Sequence, residues 1–345
     1  MELAFIIEKF ALILVIFLIS LTVAAYSTLA ERKIAGFLQD RVGPNRAGPG
    51  GMFQPLADGL KMFFKEEIIP TDSSKALFIL GPSLALFTSF LGSAVIPWGQ
   101  DIEIAGRLVS LQITDINVGM LYIFGVVSLG VYGIMIGGWA SNNKFSLMGA
   151  VRAASQSISY EIPMGLSIIA LLMATNTLSM KEIAEQQHGI NWNIFYQPLG
   201  FIIFLICSFA ETNRTPFDLP ECETELVGGY HTEYSGFKMG AYMFAEYLNM
   251  FLASAVMSTL YFGAYNYPGM DWVNEMTGPV IGPLVGMAVL MLKIFAFIFL
   301  FMWVRWTVPR FRYDQLMNLG WKILIPLAIA NIVITGIVIT IIDKL

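Results

Sequence analysis

The chain has 345 residues, 56% of them apolar and only 13% charged, with a mean hydropathy of +0.67 and a formal net charge of −5. This excludes a soluble globular domain and describes a polytopic membrane protein, while the small net charge carries no information about nucleic acid. With Cys207 and Cys222 forming no CxxC pair, and His188 and His231 far apart in the sequence, no metal or iron–sulfur centre is expected in the chain itself.

A hydrocarbon core of about 30 Å takes about 20 helical residues to cross. On that measure the sequence predicts a single all-α membrane domain, 1–345, of eight transmembrane helices at about 4–30, 76–97, 115–140, 153–175, 194–211, 237–264, 280–304 and 322–343. The first, MELAFIIEKF onward, has acids and a length that do not fit a cleavable signal, so it is read as a retained anchor. After it comes GPNRAGPGG, too rich in Gly and Pro for regular structure and expected to be a compact turn. From Phe53, apolar Phe53, Leu56, Ala57, Leu60, Phe63 and Phe64 alternate at helical spacing with Gln54, Asp58, Lys61 and Lys65. That is a two-faced helix over about 53–65, lying in the membrane interface or packing on the bundle.

Lys and Arg divide fifteen against two between alternate sets of loops, with Arg107 and Lys181 the two on the poorer side. The richer side stays cytoplasmic, and an even number of spans then puts both termini outside the cytoplasm. Several charges fall inside or at the ends of predicted spans, where each costs about 3 kcal/mol and is by default functional: Glu31 with Arg32, Glu161, Glu246 and Lys293. Glu161 and Glu246 read as proton-handling groups, or as helix-to-helix hydrogen-bond partners. Lys293 reads either as functional or as a structural partner of a carboxylate.

Residues 211–233, ETNRTPFDLPECETELVGGYHTE, set Glu211, Asp218, Glu221, Glu223, Glu225 and Glu233 against Arg214 alone. Carboxylates crowded at a partly dry site cannot all ionise cheaply, so they titrate together and respond to a nearby change of charge. If ELVGG continues as helix, Glu221 and Glu225 share a face, with Arg214 as the fixed positive charge near Asp218. The alternative is a solvated acidic loop that docks a basic partner.

The strings ERKIAGFLQDRVGPNRAGPGGMFQPLADGLKMFFKEE, AASQSISYEIPMGL, AETNRTPFDLPECETELVGGYHTEYSGF and AEYLNM resemble the family of quinone-chamber membrane subunits of respiratory complex I, the bacterial NADH-quinone oxidoreductase. The likeness runs along nearly the whole chain, apart from 98–114 and 176–193. It implies a subunit that helps form a quinone tunnel where the hydrophilic arm meets the membrane arm, with quinone as substrate and with FMN and iron–sulfur clusters in partner subunits. It also implies that helices 2–6 form an antiporter-like half-channel. Glu31, Arg32, Arg41, Phe53, Asp58, Phe63 and Arg214 would line or brace the tunnel. Glu161, Glu211, Asp218, Glu221, Glu223, Glu225, Glu233 and Glu246 would couple quinone reduction to neighbouring proton-pumping subunits, in a bacterial inner membrane. Other readings stay open: a related hydrogenase-type or ferredoxin-linked complex, a stand-alone ion transporter using Glu161 and Glu246, or an anchor for a soluble arm.

Overall fold

The computed structural model describes residues 2–104 and 107–342, without the side chains of residues 2–4, 104, 223 and 279. Among the described residues, seven helices are long and apolar enough to cross a membrane. The first is α1, Glu2–Leu38, followed by the short amphipathic α2, Gln54–Phe64. Next come α3 (Lys75–Leu91), a hairpin of β1 (Ile102–Ile104) and β2 (Arg107–Val109), α4 (Gly119–Ala140) and α5 (Lys144–Thr175). Three short helices follow, α6 (Met180–Gln186), α7 (Asn193–Tyr196) and α8 (Pro198–Glu211), and then the one-turn α9 (Glu223–Leu226). The chain closes with α10 (Gly236–Tyr261), α11 (Met270–Thr307), α12 (Tyr313–Asn318), a π turn over Leu319–Leu324, and α13 (Ile325–Ile342).

The fifth apolar stretch departs from expectation. Residues 194–211 are broken at Gln197 into α7 and α8, and the 14 residues of α8 rise only about 21 Å. It nonetheless joins the two ends of the bundle. At its start, the Gln197 side chain bonds Thr335 and Asn331 of α13 at 2.8 and 3.0 Å. At its other end lies the loop carrying Arg214.

Helices overrun their apolar stretches where charged residues are themselves good helix formers. Thus α1 continues through Glu31, Arg32 and Lys33 to Leu38, and α5 begins at Lys144, where Asn143 accepts a hydrogen bond from the Phe145 amide at 2.8 Å. Within α11, Gly278 at φ 80 divides a lead-in turn from the apolar span that starts at Val280. The compact turn over GPNRAGPGG is present as a 3-10 turn, Pro49–Gly51, clasped by the Lys33 ammonium, which donates to the Gly50 carbonyl at 2.5 Å.

Helix α3 packs on α4 and α10, and α5 on α4, α8 and α13. Close approach needs small residues: a Cβ at Gly137 of α4 would collide with the Tyr242 hydroxyl. The segments with no sequence-level reading meet at the end of the bundle away from Arg214. There Lys181 pairs with Asp101 at 3.1 Å and Ser179 donates to Asp115 at 3.1 Å. His188 lies on this end, 3.9 Å from Asp271. Lys293 holds no carboxylate among the described residues. Its ammonium donates to the carbonyls of Phe262, Ala264 and Asn266 at 2.6, 2.8 and 2.7 Å and sits over Trp192, tying α11 to the chain leaving α10.

Candidate functional site: a buried arginine and a file of acids

The loop after α8 folds inward. Thr212, Arg214, Thr215, Asp218 and Leu219 are all buried, Arg214 to 1% exposure. Gln156 of α5 holds the loop by donating to the carbonyls of Ala210 and Phe217, both at 2.8 Å. Asn213 takes the left-handed conformation, φ 51, which a short polar side chain tolerates, and turns the chain so that Arg214 points into the bundle.

Arg214 holds two helices directly, and a third joins them through Glu31. Its Nη1 donates to Glu31 Oε2 of α1 at 2.7 Å, its Nε lies 2.6 Å from Glu246 Oε1 of α10, and its guanidinium stacks 4.4 Å from the ring of Tyr247. The other oxygen of Glu31 takes Arg305 of α11 at 2.6 Å, and Tyr247 donates to Glu31 at 2.8 Å. A buried charge is tolerated only when paired and hydrogen-bonded. Here two carboxylates enclose the guanidinium and stabilise its charged form against the opposing effect of burial.

Asp218 does not pair with its sequence neighbour Arg214. Its partner is Arg310, beyond the end of α11, whose Nη2 donates to Asp218 Oδ2 at 2.8 Å. Even so, burial outweighs Arg310 and pushes the Asp218 carboxyl up to about 6, and burial with the nearby Asp218 charge also raises Glu221. Glu221 accepts from the Tyr230 hydroxyl at 2.6 Å and stands 3.8 Å from His231 Nδ1.

The Asp218 shift sets a pH dependence. The unfolded carboxyl titrates near 3.8 and the folded one near about 6, so folding takes up a proton between those values and stability falls as pH rises through them. At higher pH the burial cost is present in full, on the order of 3 kcal/mol. Asp218→Asn is expected to flatten that part of the profile, measured as thermal denaturation of membranes at steps between about pH 4 and about pH 7. Slopes equal to those of the parent would contradict it.

From this loop, acids continue into the bundle. Tyr230, Glu246, Asn213 and Glu211 line one cavity, and Glu211 lines a second beneath it. Glu211 Oε2 is buried and has no hydrogen-bond partner among the described residues. Glu211 lies within electrostatic reach of Glu161 of α5, which in turn accepts from Ser128 of α4. Glu221, Glu246, Glu211 and Glu161 are therefore brought into one file.

Two predicted acids stand apart. Glu225 is half exposed and pairs with Arg152 at 2.5 Å, and Glu233 accepts from Asn143 at 2.5 Å. Helix α9 is a single turn that begins after Glu221 and ends at Val227, φ 65, so the shared helical face for Glu221 and Glu225 does not form. The Glu223 side chain lies outside the described residues.

Near the end of α1, Arg32 pairs with Asp58 of α2 at 2.8 Å, which also accepts from Gln54 at 2.9 Å. Arg32, Arg41 and Arg46 line an open bowl over the glycine-rich turn. The apolar face of α2 points outward: Phe53 is 56% and Phe63 66% exposed, the latter stacked on Phe237 of α10. Between α1 and α11 runs an apolar groove lined by Val23, Tyr26, Ala30, Ile34, Phe299 and Met302, one turn from Glu31 and Arg305. Sequence reasoning missed Tyr230, Tyr247 and Ser128, and it used Arg305 and Arg310 only as loop charges. Among the described residues no cluster of His, Cys, Asp and Glu could hold a metal ion.

The NADH dehydrogenase family profile matches residues 10–336. A protein of Flavobacterium johnsoniae, named as the H subunit of NADH-quinone oxidoreductase, is 66% identical over 339 residues, covering 98% of this chain and 97% of the relative. Its namesake in Flavobacterium psychrophilum is 65% identical, covering 98% of each, and a protein of Geobacter sulfurreducens with the same enzyme and H-subunit name is 47% identical, covering 97% and 95%. Read with the helices that can cross a membrane and the arginine-centred acids between them, these matches make the chain a multi-pass membrane member of the NADH dehydrogenase family, alongside relatives named as H subunits of NADH-quinone oxidoreductase.

Proposed function

We propose that the chain is the quinone-chamber subunit of a proton-pumping NADH:quinone oxidoreductase. Quinone enters from the bilayer past the apolar face of α2, at Phe53 and Phe63, and along the α1–α11 groove. Arg32, Arg41 and Asp58 face the headgroup path, while Glu31 and Arg214 brace it. Partner subunits of the hydrophilic arm hold FMN and the iron–sulfur clusters that deliver electrons. Two electrons placed on a quinone in a poorly solvated tunnel create a demand for two protons, and the field of that charge acts on nearby carboxylates. The change passes through Asp218, Glu221, Glu246, Glu211 and Glu161, in helices that work as an antiporter-like half-channel, to neighbouring pump subunits by linked protonation. Counting α7–α8 as a crossing gives eight spans in a bacterial inner membrane, with both termini periplasmic.

The observation that carries this reading is the knot of Glu31, Arg214, Glu246 and Arg305. Its members Glu31 and Arg305 lie one helical turn from a groove of the kind that suits an isoprenoid tail, which supports this reading. A photoreactive quinone bearing such a tail is expected to label peptides of α1, α2 and α11 in the assembled complex, with excess quinone abolishing the label. Labelling confined to other subunits would overturn the reading.

Glu225 and Glu233 serve at the rim and not in the file. Exposed ion pairs contribute about 0–1 kcal/mol, so Glu225→Gln is expected to keep both NADH–quinone and NADH–ferricyanide rates close to those of the parent. A selective loss of the quinone rate would return Glu225 to the coupling path.

A further inference from the structure

Glu211 lines two cavities, one of mixed lining and one walled almost wholly by apolar side chains. On the side of the 212–235 loop, the space it shares with Glu246 is lined by Ser157, Asn213, Tyr230 and Tyr242. On the other side the wall is Met120, Ile123, Met164, Phe204, Leu252 and Val256. Besides Glu211, the polar groups of this second cavity are Ser208, within a turn of Glu211, and Thr212 and Asn249, which both cavities share. Its far wall reaches the opposite end of the bundle at Met120, whose amide donates to the Leu178 carbonyl at 3.1 Å. Small cavities walled by aliphatic side chains stay dry, and hydrophobic constrictions block ions by excluding water.

We propose that Met120, Ile123, Met164, Leu252 and Val256 form an insulating seal that closes the acid file toward the far side of the membrane. A proton that reaches Glu211 can then pass to Glu161, but the aliphatic wall offers it no titratable side chain toward the far side, so it remains available for coupling. The inference rests on the proposed role of the acids as proton carriers. It adds what that role requires: a file open to the far side would discharge the gradient that the complex builds.

The test uses the intact complex in proteoliposomes, with a pH gradient imposed in the absence of NADH and its decay followed by an entrapped dye. Leu252→Asn and the near-isosteric Val256→Thr are expected to collapse the gradient several-fold faster than the parent. Leu252→Ile should match the parent, and NADH–quinone turnover should be retained in all three. Adding Glu211→Gln to Leu252→Asn should restore slow decay, because the leak must pass through Glu211. Gradients as durable as the parent's in both polar variants, or a leak that survives Glu211→Gln, would overturn the seal. Should Leu252→Asn fail to assemble on a native gel, Val256→Thr decides. Glu246→Gln assayed in parallel separates the two layers. Durable gradients in the seal variants, with quinone reduction lost in Glu246→Gln, reject the seal alone. Unimpaired quinone reduction in Glu246→Gln rejects the reading beneath it.

Discussion

Arg214→Met is expected to abolish accumulation of the assembled complex. Among the described residues, the change removes the only cation in contact with Glu246 and one of the two that hold Glu31, and it does so at a position 1% exposed. Leaving one partner of a buried ion pair without the other costs about 3–5 kcal/mol, and here two carboxylates are affected while Arg305 can serve only Glu31. Total folding free energies are about 5–15 kcal/mol, so the loss takes a large share. Arg214→Lys should rescue weakly, because a single ammonium cannot reproduce the guanidinium's contacts to Glu31 and Glu246 together with its stacking on Tyr247. Native-gel abundance of the complex is the readout. A stably assembled Arg214→Met complex would mean that the knot is not what joins α1, α10 and the 212–222 loop.

Glu246→Gln should behave differently, with the fold kept and the quinone reaction lost. Arg214 retains Glu31, the amide oxygen of Gln can still face the guanidinium, and no unpaired anion is created. What disappears is a group that can take and return a proton between Glu221 and Glu211. Positioned proton-transfer groups contribute about 100-fold or more to rate, so NADH–quinone turnover is expected to fall on that order. NADH–ferricyanide turnover, drawn from upstream, should be unchanged. Loss of both rates together would point to failed assembly instead of a broken relay.

Membrane class, the amphipathic α2 and the crowding of acids after α8 were legible because each is a local property: a run of apolar residues, a helical period, a composition. The partners were not. Glu31, Arg214, Glu246 and Arg305 meet across sequence separations of 183 residues and more, and one sequence contains no signal for such pairing. Arg310 therefore replaced Arg214 as the partner of Asp218. The break at Gln197 did have a local signal, because proline disfavours helical conformation in the residue before it and is favoured as a first helical residue, and Pro198 opens α8. The extended reading of α9 failed for a different reason. ETEL is helix-competent, and it is the left-handed Val227 and the inward turn at Gly229, where a Cβ would strike the Pro220 carbonyl, that stop it after one turn. Lys293 read either as functional or as a structural partner of a carboxylate, and the backbone carbonyls beyond α10 that it binds are acceptors that no residue type advertises.

The most direct test of the coupling claim is proton pumping per electron in vesicles whose complex carries Glu211→Gln. NADH oxidation with quinone, followed together with dye-reported acidification, gives both quantities from one preparation. The acid file predicts a markedly lower proton yield per electron, because the link between the Glu246 cavity and Glu161 has lost its titratable group. A yield equal to that of the parent would mean that protons are coupled by a route that does not include Glu211, and the file proposed here would not be the coupling path.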